Sequence, residues 1–263
     1  MELTKNYRLL QEGLHMKIGT KILLNALVIF QAVADCSALG SANSNRPACL
    51  RPPRTALVAG AGVQVAVGPG TNIQTSTDGL DWTPRKPGIV HSLNGITFGN
   101  NVFVAVGNEG AVITSNNGRT WKVKKVGTTD RLRGITFSHE IFVAVGHLGT
   151  IITSKDGTRW TLQSSGTEER LEAVCYGGQT FVSVGWNGTI LTSEDGMRWS
   201  RQVSGTGACL LSVTWTEEGF LVSGQGGVVL TSQDGATWNS VLAGKLNSPK
   251  TAPQAAMAST ANH

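Results

Sequence analysis

Charged residues are scarce in this sequence, and the positive ones are spread along the chain. Asp, Glu, Lys and Arg make up 15% of the residues, and the net charge is +5. Nucleic-acid-binding domains usually carry a concentrated basic stripe or a recognisable motif, and neither is present. Disordered chains combine few apolar residues with a high net charge, whereas 40% of these residues are hydrophobic. We therefore expect a folded protein that does not bind nucleic acid.

Cysteine, histidine and tyrosine are also scarce, which limits the available chemistry. There are 4 cysteines, 5 histidines and 2 tyrosines. No Cys or His spacing resembles a metal site, so we expect neither a metal ion nor a cofactor. In an oxidising compartment, Cys36 and Cys49 could pair across a short loop. Cys175 and Cys209 are expected to be free, buried thiols.

The N-terminal region lacks an apolar run long enough to span a bilayer. An uncharged stretch from Ile22 to Ala34 follows Lys17 and Lys21 and ends in an A-x-A sequence, as in a signal peptide. We predict a leader over residues 1–34, with the true start at Met16, and export to the periplasm or the extracellular space. Because Cys36 follows closely, a membrane-anchored lipoprotein is the alternative.

Glycine, in contrast, is abundant at 33 residues, and it recurs inside a repeated phrase. The phrase T-S-x-D/N-G-x-x-W occurs five times, and its tryptophans are spaced by 39 residues: Trp82, Trp121, Trp160, Trp199 and Trp238. Short β-branched segments between these phrases indicate strands and hairpins. Four strands per 39 residues match one propeller blade. We predict an all-β fold, a β-propeller of about five four-stranded blades over residues 54–243.

Two kinds of glycine turn are expected in each repeat. A G-x-x-G turn joins the second and third strands, and its glycines are expected to supply the positive φ of a tight hairpin. An S-x-D-G turn joins the third and fourth strands, where the Asp or Asn side chain is expected to accept hydrogen bonds from nearby amides. The fourth strand is predicted to begin at the tryptophan, whose ring packs back over the blade.

The first repeat departs from the others. Arg54, Ala59 and Gln64 stand where later repeats have Leu or Phe. A terminal repeat is often atypical because one face lacks a neighbour, but this repeat could instead close the ring. We expect a monomer unless the blades form an open arc that needs a second copy. Residues 35–53 and 244–263, rich in Ser, Asn, Pro and Ala, are predicted to be a flexible linker and a disordered tail.

The polar residues of the S-x-D-G turns are candidates for chemistry by type: Asp78, Asn117, Asp156, Asp195 and Asp234. They occur once per blade in identical turns, so they should ring one face rather than converge on one substrate. Asn117 also replaces a carboxylate without any change in the surrounding motif. We interpret these residues and the five tryptophans as structural, and not as catalytic residues or calcium ligands.

The opposite face is the better candidate for binding. The G-x-x-G turns and the connectors between blades should share this face, and their residues vary from repeat to repeat. Variable loops on a faithful scaffold favour recognition, with tryptophan and arginine as typical binding residues. The alternative is that these are ordinary solvated loops. The predicted partner-binding residues are Trp186, His147, Asn108, Gln225, Arg131, Arg133 and Arg170.

The phrase V-G-x-x-G-T-I-x-T-S-x-D-G-x-x-W resembles the Asp-box, or BNR-like, propeller repeats of exported bacterial proteins. Over residues 54–242 the chain is similar to the photosystem II stability and assembly factor family. The resemblance implies a non-catalytic scaffold or assembly role with a protein partner, such as a membrane complex. Because Asp-box propellers host many activities, the resemblance predicts architecture better than function.

Sialidases share the Asp box, so an enzyme is the alternative. A resemblance to sialidases implies an active site with an arginine cluster, a tyrosine nucleophile paired with a glutamate, and an acidic residue as the acid/base. Here Tyr176 occupies an expected core position, and Glu168, Glu169 and Glu172 match by residue type only. We predict that the protein is not an enzyme. The rival hypothesis is a carbohydrate-binding or sialidase-like glycoside hydrolase propeller, in which Trp186 stacks on a sugar ring or a glycan is cleaved.

Overall fold

The computed structural model describes residues 56–241, which form twenty strands in five antiparallel sheets. Each sheet contains four consecutive strands in sequence order, so each repeat makes one blade. The predicted all-β propeller with five four-stranded blades is confirmed. Between residues 56 and 241, no helix is long and apolar enough to cross a membrane.

The strand bounds follow the 39-residue repeat. Blade 1 comprises β1 (Ala56–Gly60), β2 (Val63–Gly68), β3 (Asn72–Ser76) and β4 (Thr83–Arg85), and blade 2 comprises β5 (Leu93–Gly99), β6 (Val102–Gly107), β7 (Val112–Ser115) and β8 (Lys122–Lys124). Blade 3 comprises β9 (Leu132–Ser138), β10 (Ile141–Gly146), β11 (Ile151–Ser154) and β12 (Thr161–Gln163). Blade 4 comprises β13 (Leu171–Gly177), β14 (Thr180–Gly185), β15 (Ile190–Ser193) and β16 (Ser200–Gln202). Blade 5 comprises β17 (Leu210–Thr216), β18 (Gly219–Gly224), β19 (Val229–Ser232) and β20 (Asn239–Ser240).

The repeated tryptophan belongs to the turn and not to the fourth strand. In blade 2, β8 begins at Lys122, one residue after Trp121. The indole N–H of Trp121 donates to the Gly118 carbonyl at 3.0 Å, and its ring centroid lies 6.4 Å from that of Phe103. The predicted strand start was therefore wrong by one residue, because the indole bonds to its own turn. The predicted packing of the ring over the blade is confirmed.

Apolar side chains from consecutive blades form the core. Val102, Val104 and Val106 of blade 2 are buried against Phe142 and other apolar residues of blade 3. The same arrangement joins blades 1 and 2, blades 3 and 4, and blades 4 and 5. The first strand of each blade packs against the first strand of the next, so these strands are the innermost ones.

Blades 1 and 5 do not pack on each other in this way within residues 56–241. A Cβ atom at Gly118 of blade 2 would lie 2.9 Å from Val65 of blade 1, whereas the atoms nearest to one at Gly79 of blade 1 belong to Gln64 of its own blade. At the other end, Trp215 of blade 5 remains 38% exposed. The described blades therefore form an open arc, which was one of the two expected arrangements.

The predicted leader 1–34, with the Met16 start, the linker 35–53 and the tail 244–263 lie outside the described residues. Cys36 and Cys49 lie there too. Cys175 is free, as expected, and burial raises the pKa of its thiol. Cys209 is disulfide-bonded, so the prediction of a free thiol was wrong.

Candidate functional site

A β-bulge repeats at the start of the innermost strand in blades 2 to 5. In blade 4, Leu171 pairs with Gly185 and Ala173 pairs with Val184, so Glu172 is the extra residue of the bulge. Equivalent register shifts occur in blades 2, 3 and 5. Bulges re-aim a side chain and are common near functional sites. The extra residues are Asn94, Arg133, Glu172 and Leu211.

The bulges of blades 3 and 4 place a buried carboxylate among cations. The Glu172 side chain is 1% exposed, while those of Arg133 and Arg170 are 10% and 19% exposed. The Arg133 guanidinium donates from Nε and Nη2 to Glu172 Oε2 at 3.2 and 3.1 Å. Arg170 Nε lies 2.6 Å from Glu172 Oε1. The single carboxylate of Glu172 therefore pairs with two guanidinium groups, and these three side chains together carry a net positive charge.

Trp186 completes this arrangement from the G-x-x-G turn of blade 4. Its indole Nε1 donates to Glu172 Oε1 at 3.2 Å, and the Arg170 guanidinium carbon lies 5.0 Å from its ring centroid. A cation over an indole face is attracted by the ring quadrupole. We call Arg133, Arg170, Glu172 and Trp186 the bulge cluster.

The G-x-x-G turn holds Trp186 against the connector because its first glycine leaves room. The Trp186 N–H donates to the Arg170 carbonyl at 2.9 Å. A Cβ atom on Gly185 would lie 2.1 Å from the same carbonyl oxygen, so only glycine fits. Gly185 has an extended backbone, whereas Asn187 and Gly188 have positive φ of 50° and 63°. The prediction of positive φ is therefore right for the second glycine and wrong for the first.

His147 occupies the equivalent turn position in blade 3. Its N–H donates to the Arg131 carbonyl at 2.9 Å, and its side chain is half-buried. The ring atom Nε2 is buried and has no hydrogen-bond partner among the described residues. The pKa of His147 is lowered to about 4, mainly by burial and in addition by the positive charges of Arg170, Arg131 and Arg133. At neutral pH the imidazole is therefore uncharged.

The other predicted partner-binding residues flank this centre. Arg131 is exposed, and its charge acts on His147. Asn108 of blade 2 accepts a hydrogen bond from the bulge residue Asn94 at 3.0 Å. Gln225 holds the equivalent turn position in blade 5, where its N–H donates to the Cys209 carbonyl at 2.8 Å. Blades 3 and 4 thus bring together His147, Trp186 and three arginines, and Asn108 and Gln225 lie to either side.

Glu172 is the residue that sequence reasoning missed at this centre. It was considered as a carboxylate by type, but it was not placed with the arginines. One sequence pattern could have found it: the residue after the conserved Leu of each first strand is Asn, Arg, Glu or Leu. Because a bulge projects this residue out of the ladder, its identity is free to vary while the neighbouring positions stay apolar.

The S-x-D-G turns show the structural role predicted for them. In blade 4, Asp195 Oδ1 accepts hydrogen bonds from the Met197 and Arg198 amides, both at 2.8 Å, and from Ser193 Oγ. These bonds lower the pKa of Asp195 to about 2, with the Arg198 amide as the largest cause. Asn117 accepts the same two amide bonds in blade 2. The part of the chain that is described contains no cluster of residues able to hold a metal ion.

The residues considered for a glycosidase do not meet. Tyr176 lies at the opposite end of β13 from Glu172, where its hydroxyl is 2.6 Å from His139 Nε2. Burial raises the pKa of Tyr176, which does not favour a phenolate nucleophile. Glu168 is exposed, and Glu169 accepts a hydrogen bond from Asn187 at 2.7 Å. This geometry gives no support to a tyrosine–glutamate pair.

No protein-family model matches the chain, and no curated protein matches it. Among solved structures it is similar to YCF48 bound to D1 peptide, with 21% identity, a TM-score of 0.56, and coverage of 72% of this chain and 66% of that one. It is similar to YCF48 from Cyanidioschyzon merolae, with 17% identity, a TM-score of 0.53, and coverage of 71% and 70%. A third similar structure is the computationally designed Ika8 protein, with 16% identity, a TM-score of 0.54, and coverage of 70% and 61%.

The chain thus spans slightly less than two thirds of the YCF48 chain in the peptide complex. At these identities the likeness concerns the fold. The predicted resemblance to photosystem II assembly factor propellers is confirmed at that level.

Proposed function

We propose that this protein is a non-catalytic binding propeller that holds a segment of a partner protein on its G-x-x-G face. Arg131, Arg133, Arg170, His147 and Trp186 form the centre of the binding surface. The bound segment carries an anionic group, either an acidic side chain or a C-terminal carboxylate. In the cell the protein acts as an assembly or scaffold factor for a membrane complex, after export across a membrane.

The charge balance of the bulge cluster carries this proposal. Glu172 is buried between Arg133 and Arg170, and exposed Arg131 adds a further positive charge. Neutral His147 has a buried nitrogen with no hydrogen-bond partner within residues 56–241. Arginine and tryptophan are the residues most enriched in binding hot spots, and a fixed guanidinium suits a carboxylate.

The similarity in fold to YCF48 supports a peptide segment as the partner. YCF48, a photosystem II assembly factor, has been solved with a D1 peptide bound. That propeller therefore takes a peptide ligand, which supports the proposal of the same class of ligand here.

A peptide-binding measurement tests the proposal with the full-length chain. The probes are fluorescent acidic peptides with free or amidated C-termini, and basic peptides of the same length. We expect acidic peptides to bind, and the double variant Arg131→Ala/Trp186→Asn to weaken binding at least about tenfold through the loss of charge and contact area. Asparagine is already present at the Trp186 position in blade 2, so the fold should tolerate it.

The matched control is Leu80→Asn/Arg119→Ala, which removes similar groups from exposed positions of the S-x-D-G turns. We expect this control to change the affinity by less than about twofold, because surface substitutions away from a site have small effects. Equal losses in the two variants, or no preference for acidic peptides, would contradict the proposal. A free C-terminus that binds more tightly than its amide would identify the carboxylate as the recognised group.

The carbohydrate alternative is less well supported by the geometry. Arg170 covers one face of the Trp186 ring, which limits stacking on a sugar. A glycan panel, read for both binding and cleavage, tests this alternative directly. A specific response that depends on Trp186 would replace the peptide hypothesis.

A further inference from the structure

A basic groove lies on the face opposite the bulge cluster, between blades 2 and 3. It has a volume of about 480 Å³, within the range of small-molecule sites. Its lining includes Asn117, Lys122 and Lys124 from blade 2, and Lys155 and Asp156 from blade 3. We call this feature the lysine groove.

The lysine groove has an excess of positive charge. Three lysines line it, and Asp156 is the carboxylate among its lining residues. Asp156 is already engaged by its own turn: Oδ1 accepts the Thr158 and Arg159 amides at 2.8 Å, and Oδ2 accepts the Arg159 Nε at 3.1 Å. The lysines are therefore not neutralised by this carboxylate.

Blade 2 also lacks the carboxylate that the other blades carry in this turn. Asn117 keeps the structural bonds, because its Oδ1 accepts the Arg119 and Thr120 amides at 2.9 and 3.0 Å. The same bonds lower the pKa of the equivalent aspartates to about 2, so those residues are anionic at neutral pH. The substitution preserves the turn, removes a negative charge and adds an amide N–H donor.

The scaffold does not need these lysines. In blades 3 and 4 the residues equivalent to Lys124 are Gln163 and Gln202, which donate to strand threonines at 2.8 Å. Lys124 makes no such bond to Thr114 within the described residues. The residue equivalent to Lys122 is Thr161 in blade 3, and the residue equivalent to Lys155 is Gln233 in blade 5, so neither position requires a lysine. Lys122, Lys155 and Asn117 thus differ from the equivalent residues of every other blade and make this groove more positive, whereas at the position of Lys124 blade 1 also carries a cation, Arg85.

We propose that the lysine groove binds a phosphate group, either free or carried on a lipid headgroup. Lysine contacts phosphate as a compact point charge with rotatable donors. Three lysines on two blades supply the positive charge that a doubly charged oxyanion needs. This site is separate from the proposed peptide surface, so either proposal can fail without the other.

Pyrophosphate titrated into the full-length chain by calorimetry is the first test. The groove variant is Lys122→Thr/Lys124→Gln/Lys155→Gln, in which each new residue occurs at that position in another blade. We expect it to reduce the pyrophosphate affinity at least about tenfold, and the single change Asn117→Asp to reduce it about threefold. Binding should weaken with added salt, because exposed charges are screened.

The control is Arg85→Gln/Lys86→Ser/Arg201→Val, which removes the same number of positive charges from or next to the outer strands of blades 1 and 4, again with residues from other blades. We expect it to change the affinity by less than about twofold. Equal losses in the two triple variants would show non-specific charge attraction and overturn the proposal.

Vesicles then distinguish the two sources of phosphate. Phosphatidylcholine vesicles with and without phosphatidic acid are sedimented with the wild type and both triple variants. Binding to phosphatidic acid that is lost in the groove variant alone supports the lipid headgroup. Pyrophosphate binding without vesicle binding supports a free phosphate ligand. No binding to either probe overturns the proposal.

Discussion

In blades 3 and 4, the charge state and accessibility of single residues depend on the residues around them. Glu172 is a buried carboxylate that stays paired with Arg133 and Arg170, whereas Glu168 on the preceding connector is exposed. His147 lies next to the same arginines and loses its ordinary basicity through burial and like charge. Residue type alone therefore does not indicate which of these groups can meet a ligand.

His147 provides a pH-dependent prediction. In the unfolded chain its imidazole takes up a proton near pH 6.5, whereas in the folded protein its pKa is about 4. Between these values the unfolded state binds more protons, so stability falls as the pH decreases from about 6.5 to 4. We expect His147→Asn, the residue of blade 2, to reduce the loss of stability between pH 7 and pH 5 by about 1 kcal/mol.

Chemical denaturation of both proteins at the two pH values measures this difference, and NMR titration reports the pKa of His147 directly. Substitution of His91, which is half-buried in the connector to blade 2 away from the bulge cluster, serves as the control. A His147 that titrates near pH 6.5 would contradict the structure.

At the scale of the element, the S-x-D-G turn depends on an acceptor oxygen more than on a charge. Asp195 and Asn117 accept the same pair of amide bonds. Blade 2 can therefore carry Asn117 where the other four blades carry an aspartate. The loss of this negative charge makes the lysine groove more positive and leaves the turn intact.

Two substitutions of Asp195 separate these contributions. Asp195→Asn should change the free energy of unfolding at pH 7 by less than about 0.5 kcal/mol, whereas Asp195→Ala should lower it by about 1 kcal/mol because two amides lose their acceptor. The folded pKa of Asp195 is about 2, so its ionic contribution is present above pH 4 and is lost as the pH falls towards 2. Denaturant titrations at pH 7 and pH 3 measure both effects, and equal losses in the two variants at pH 7 would refute the acceptor role.

At the scale of the whole molecule, the two end blades differ from the middle ones. The face of blade 1 that lacks a neighbour carries Gln64 and Gln74 where blade 2 has Phe103 and Ile113. Polar outer faces are typical of capping repeats. Blade 5 has Leu221, half-buried, where blades 2 to 4 have fully buried valines.

The open arc predicts unequal costs for equivalent core substitutions. Val143→Ala in blade 3 should lower the free energy of unfolding by about 2 kcal/mol, because it empties a closed interface. Leu221→Ala in blade 5 should cost less than about 1 kcal/mol, although it removes a larger side chain, because that face stays partly solvated. A larger cost at Leu221 would show that something covers blade 5, and light scattering would then distinguish a closed monomer from a second copy.

The sequence by itself determined the blade, because every strand, turn and half-buried tryptophan recurs at a 39-residue period and depends on contacts within one repeat or with the next. It also identified the variable face, since positions that a scaffold does not constrain differ between repeats. Only the tertiary structure brought Glu172 to Arg133 and Arg170, revealed the bulge that aims them, and gathered Lys122, Lys124 and Lys155 into one groove. These arrangements join residues of different blades, and their distances depend on how the blades pack. Closure of the ring was likewise undecided in the sequence, because the contact between the first and last blades depends on the angle between blades and not on any one repeat.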